Sequence, residues 1–106
     1  MESGQKKETI AEILAPFRKR IDALDDRIVD LLVERFGIIH EVGLFKAERG
    51  IPAVLPDRVT QVRERCAERA AAKGISGDVV RKVYELLIAS ACEIEKKIIS
   101  ERARGG

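Results

Sequence analysis

Residues 17–45 read FRKRIDALDDRIVDLLVERFGIIHEVGLF. Apolar side chains recur in this stretch at spacings of four and three: Phe17, Ile21, Leu24, Ile28 and Leu31, then Ile38, Val42 and Phe45. That rhythm predicts a long helix with one apolar stripe of the coiled-coil kind. Position 35 belongs to the stripe and is an arginine. A charge in an apolar seam costs free energy unless something pairs with it. Arg35 therefore either fixes register against a buried acid or receives an anionic ligand.

Working outward, Thr9-Ile-Ala-Glu12 has the form of a capping box, a helix start. Pro16 follows within two turns, and proline is favoured only in a first turn. The expectation is a short turn at 9–14 and a main helix from about Ala15 to Arg49, or one continuous helix kinked at Pro16, stopped by Gly50. Pro52 keeps the next residues extended. Pro56-Asp57 reads as the first turn of a second helix that runs to Lys73 and ends at Gly74. Ser76 is the expected N-cap of a third helix, with Asp78 in its first turn, ending near Arg102. No strand alternation or repeat is present. The expected fold is all-α, a protomer of three helices with one very long N-terminal helix. Residues 1–8 are an expected disordered tail, 9–102 the helical domain and 103–106 a C-terminal tail.

A helix of ~35 residues is ~52 Å long. A compact domain of this size is only roughly 34 Å across, from its radius of gyration. Two shorter helices cannot cover such a stripe, so the sequence predicts an obligate homodimer built along the first helix.

Composition narrows the function. The chain has 106 residues, 36% charged and 45% hydrophobic, with a net charge of +2. Nearly balanced charge argues against a general nucleic-acid binder. Three Phe, one Tyr and no Trp leave little for base stacking. No apolar run reaches the ~20 residues of a membrane span, and the N-terminus has no apolar core of a signal peptide. Cys66 and Cys92 have no metal spacing and read as two free thiols of a cytoplasmic protein. His40 lies off the stripe and reads as a surface residue. No triad is suggested.

The cations carry more. Arg35 and Lys46 are eleven residues apart, which returns them to one helix face with Cα atoms ~16 Å apart. Arg18 lies ~25 Å from Arg35 and is rotated ~100° away, so it cannot clamp the same small ligand from the same helix. In an antiparallel dimer the Arg18 of one chain can approach the Arg35 of the other. Arg58 opens the second helix. Four converging cations suit a small dicarboxylate, which guanidinium groups grip bidentately.

These residues resemble a known family. The series Arg18-x-x-Ile21-Asp22-x-Leu24-Asp25, Leu31-Leu32-x-Glu34-Arg35, Val42-Gly43-x-x-Lys46 and Pro56-x-Arg58 is similar to the all-helical class of chorismate mutases, over roughly residues 14–98. The resemblance implies an intertwined dimer that rearranges chorismate to prephenate without nucleophile or cofactor. It implies that Arg18 binds a carboxylate from across the dimer and that Arg35 binds the other carboxylate. Lys46 would hydrogen-bond the ether oxygen and a carboxylate, and Arg58 would support the ligand. Glu95 falls where the family has a Gln or Glu that contacts the ether oxygen, and Ala91 lies one turn before it on the same helix face. A glutamate donates a hydrogen bond only when protonated, so turnover is expected to improve at mildly acidic pH.

Two positions depart from the family. An acid ordinarily precedes the Pro-x-Arg stretch and a Glu ordinarily follows that arginine, both reading the ring hydroxyl. Leu55 and Val59 stand there instead. Relatives that act as isochorismate-pyruvate lyases, or on 4-amino-4-deoxychorismate, meet a different ring substituent and remain alternatives. A need for an activating partner protein also stays open. The rival of another class is a non-catalytic dimerisation module, with Arg35 setting register against Glu34 or Asp30 of the second chain. Arg35→Leu discriminates between them: it spares the module's dimer and abolishes the enzyme's turnover.

Overall fold

The computed structural model describes residues 7–105. It contains three helices: α1 (Ile10–Arg49), α2 (Pro56–Ala72) and α3 (Gly77–Gly105). There is no strand among the described residues. The first six residues of the expected tail lie outside them.

The chain divides into two units, the first ending at Arg35 and the second beginning at Phe36. The first unit holds the N-terminal part of α1. Its start is the capping box: Glu12 N–H donates to Thr9 Oγ1 (3.1 Å), while the Thr9 N–H and hydroxyl donate to Glu12 Oε1 (3.2 and 2.9 Å). These bonds satisfy early helix donors that have no partner within the helix. They also hold the Glu12 carboxyl below the usual carboxylate range, the Thr9 backbone N–H being the largest cause. The expected separate turn at 9–14 is absent. α1 runs unbroken through Pro16, which lies inside the helix. A strong cap and a long run of good helix formers outweigh the one backbone bond that Pro16 cannot donate. Phe17, Ile21, Leu24, Ile28 and Leu31 are each more than half exposed.

In the second unit, α1 ends where Gly50 turns left-handed (φ 68°), with Ile51 N–H bonded back to Lys46 O at 3.0 Å. Only glycine enters that region without strain. Leu55 is extended (φ −118°, ψ 97°), the conformation imposed on a residue before proline, and Pro56 begins α2. α2 closes at Gly74 (φ 85°), with Ile75 N–H on Ala70 O at 2.9 Å. Ser76 caps α3, its Oγ accepting from Val79 N–H at 3.3 Å. α3 continues to Gly105, past the expected end near Arg102. Arg102 and Arg104 sit in its last turn, where cations meet the negative end of the helix dipole.

Val62 and Ala67 of α2 and Ala91 and Ile98 of α3 are the buried apolar side chains among the described residues, with Gly43 of α1 buried beside them. The small residues let backbones approach. A methyl built on Gly77 would lie 3.3 Å from Ala67 O, so α2 and α3 nearly touch there. Further along α3, Gly43 lies against Glu95 and Ile98, and Glu48 reaches Arg102 at 3.6 Å.

Candidate functional site

The second unit buries one charge pair. Lys46 leaves the last turns of α1 and places Nζ 2.6 Å from Glu95 Oε1 on α3. Their side chains are only 13% and 7% exposed. Lys46 also donates to the backbone carbonyl of Ala53, in the connector between α1 and α2, at 2.9 Å. By distance the contact with Glu95 is an ion pair. The ammonium nevertheless approaches off the hydrogen-bonding direction, and Oε1 is buried with no hydrogen-bond donor among the described residues.

Burying two charges is expensive, and removing one partner leaves the other stranded. A lysine ammonium has three donors. Ala53 O accepts from one of them and Glu95 pairs with the charge alone, which leaves a donor for a further acceptor. α1, the connector and α3 thus orient an ammonium before any ligand arrives, and Glu95 prevents its retreat into solvent.

Arg58 and Val59 lie in the first turn of α2. Arg58 is exposed, its Nη1 donating to Gln61 Oε1 at 2.7 Å on the same helix. Val59 is half-buried and lines a cleft of about 250 Å³ together with Val54, Arg63, Glu85, Ile88, Ala89 and Cys92. The cleft runs between the start of α2 and the middle of α3, and its walls are mainly apolar. Leu55, the neighbour expected to face a ligand, is 40% exposed and does not line this cleft; Val54 does. Proline after Leu55 fixes that residue's extended backbone, and Val54 is the side chain that borders the cleft. Ala91 is buried one helical turn before Glu95. Both cysteines are free thiols, and His40 is exposed, as expected.

Arg63 Nε bonds Glu64 Oε2 at 3.0 Å, and Arg81 bonds the same carboxylate from α3 at 2.9–3.1 Å. These bonds, Arg81's first and Arg63's second, hold the Glu64 carboxyl below the usual range. The Arg81 guanidinium is pushed up by its bonds to Glu64 and then Asp78.

Arg18 and Arg35 belong to the first unit, where Arg18 is exposed and Arg35 half-buried. Three contributors were not legible in the sequence. The Ala53 carbonyl is a backbone group in a loop and has no side-chain signature. Cys92 and Ile88 belong to the apolar face of α3, and only the helix crossing opens them to a cleft. Among the described residues no three His, Cys, Asp or Glu side chains group as a metal site. No helix is long and apolar enough to cross a membrane.

Residues 17–96 match a family model described as chorismate mutase type II. A 4-amino-4-deoxychorismate mutase of Streptomyces venezuelae is 28% identical over 90 residues, spanning 85% of this chain and 87% of that protein. A second protein of that name, from Streptomyces pristinaespiralis, is 31% identical over 87 residues, 82% of this chain and 67% of its own length. A chorismate mutase of Methanocaldococcus jannaschii is 28% identical over 90 residues, covering 85% of this chain and 91% of that protein.

Proposed function

Because the chain belongs to the chorismate mutase type II family, we propose that it converts chorismate to prephenate with Lys46 as its central catalytic group. Family membership and the mutase relatives support this activity on the scaffold. The observation that carries the residue assignment is the buried Lys46 ammonium, already fixed by Ala53 O and Glu95.

The reaction is a Claisen rearrangement. The ether C–O bond breaks as a C–C bond forms within one molecule, so no nucleophile or external proton is required. Two things accelerate such a step. One is holding the chair-like conformer in which the reacting carbons meet. The other is placing donors where negative charge develops, on the ether oxygen. Lys46 has a spare donor for that oxygen. Glu95 orients the ammonium as a carboxylate, and as a carboxylic acid would itself donate to the ether oxygen. Arg35 is assigned to one substrate carboxylate and Arg18 of the second chain to the other, Arg58 to supporting the ligand, and Val59, with Leu55 and Ala91, to the ring.

The same reading makes the protein a homodimer. The exposed stripe of α1 and the few small buried side chains leave a 106-residue chain short of apolar burial. A second copy supplies the missing surface, and Arg18 of one chain serves the pocket of the other. Two free, half-buried thiols fit the reducing cytoplasm.

A second reading, rearrangement of 4-amino-4-deoxychorismate, is favoured by the names of two relatives and by the apolar Val59 in the cleft wall. The decisive experiment incubates purified protein separately with chorismate, isochorismate and 4-amino-4-deoxychorismate and separates the products. Prephenate from chorismate is expected. The amino analogue of prephenate alone would shift the substrate to the second reading. Salicylate with pyruvate from isochorismate would overturn the mutase assignment. No turnover of any substrate would favour a dimerisation module or a requirement for a partner protein.

A further inference from the structure

Gly43 is a costly residue for its place. It lies inside α1 and is not in the left-handed region, where φ is positive at Gly50 and Gly74. Its backbone conformation therefore does not require glycine. A glycine in a helix interior is destabilising relative to alanine. The explanation lies across the helix crossing. A methyl at position 43 would stand 2.8 Å from Ile98 Cδ1, 3.4 Å from Ile98 Cβ and 3.5 Å from Glu95 Cα. Ile98 is buried, so its terminal methyl cannot swing away without moving its own neighbours.

Gly43 and Lys46 are three residues apart on α1, and Glu95 and Ile98 three apart on α3. Each pair shares a helix face. Backbone contact at position 43 thus occurs within one helical turn of the ion pair on both elements. We propose that Gly43 is a positioning residue: its missing side chain sets the α1–α3 spacing at which the Lys46 ammonium meets the Glu95 carboxylate. Gly43 touches no reacting atom and acts through this pair. A methyl there wedges the helices apart and lengthens the 2.6 Å contact. Misplacing a catalytic group by ~1 Å can cost about a hundredfold in rate.

The experiment compares wild type, Gly43→Ala, Ile98→Val and the double variant. Ile98→Val removes the Cδ1 atom that the new methyl would strike. In turnover of chorismate, Gly43→Ala is expected to lower kcat at least about tenfold with a smaller change in KM. The double variant should recover most of that loss relative to Ile98→Val alone. Unchanged kcat in Gly43→Ala, or a loss that Ile98→Val does not relieve, overturns the proposal.

This arm rests on the mutase reading, so a second arm does not use turnover. The change in urea midpoint caused by Glu95→Gln is measured in the wild-type and Gly43→Ala backgrounds. If Gly43 positions the pair, the change shrinks by more than half in the second background, since coupled sites are not additive. Equal changes overturn the positioning role even if chorismate is the substrate. A shrunken change in a protein that turns over nothing sinks the mutase reading alone.

Discussion

Phe17, Ile21, Leu24, Ile28 and Leu31 stand more than half exposed on α1, whereas Val62, Ala67, Ala91 and Ile98 in the second unit are buried against neighbouring helices. The larger side chains are the uncovered ones. The second unit makes contacts through small residues, Gly43, Ala67, Gly77 and Ala91, which let backbones close to within a methyl of each other. That packing gives precise placement of a buried charge pair but removes little apolar area from water. The first unit carries apolar area with no cover of its own. The first unit thus holds unspent association energy alone, whereas the second, which also exposes Ile38, Phe45 and Leu86, adds the geometry of a buried charge pair.

The sharpest way to break this contrast is to charge the stripe. In Leu24→Asp/Ile28→Asp, a carboxylate placed in a dry seam costs about 4 kcal/mol if it is left unpaired. Even one such loss weakens association by about a thousandfold. Sedimentation should show a single-chain mass where the wild type shows two, with turnover lost alongside. A variant that keeps wild-type mass and activity would mean that the stripe is no interface.

Next in size is the buried pair. Lys46→Met should lower kcat by about 10²–10³, the usual loss for one donor aimed at a developing oxyanion. It should also destabilise the fold by stranding Glu95 at a buried site. Lys46→Met/Glu95→Met should restore the thermal midpoint without restoring turnover. Recovery of both would assign the pair to stability alone.

Mixing two inactive chains then joins the units. An Arg18→Ala chain and a Lys46→Met chain, refolded together in equal amounts, form mixed dimers in half of the cases. If Arg18 serves the opposite pocket, each mixed dimer has one intact site, and roughly a quarter of wild-type activity returns. No recovery from two inactive chains would place Arg18 in its own chain's site.

Much of this contrast was legible in the sequence because periodicity and capping are local. The stripe, the Thr9–Glu12 box, the stop glycines and the Ser76 cap depend on residues within a few positions of one another, and each stands where its pattern placed it. Pro16 leaves a separate turn and a continuous helix both open, because proline's local cost does not reveal how far the long favourable helix around it outweighs it. Helical spacing singles out Lys46 and the family resemblance Glu95, but neither indicates their contact with each other. Forty-nine residues separate them, and only the α1–α3 crossing brings them together. The Ala53 carbonyl and the cleft wall at Cys92 arise the same way, from tertiary placement that no short spacing encodes.

The smallest expected effect concerns the ion-pair network of the second unit, away from the Lys46–Glu95 pair. Arg81 and then Arg63 hold the Glu64 carboxyl below its ordinary 4.5. As pH falls through about 4.5, the unfolded chain takes up a proton at this residue while the folded chain does not. The stability gained from the network is therefore fully present above that value and drains away as pH drops toward the folded carboxyl's own titration. Partial solvent exposure at both partners keeps the gain small. Glu64→Gln should lower the thermal midpoint slightly at pH 7, and the gap to wild type should be smaller at pH 3. A gap of equal size at both pH values would mean that the network holds Arg81 and α3 by geometry rather than by charge.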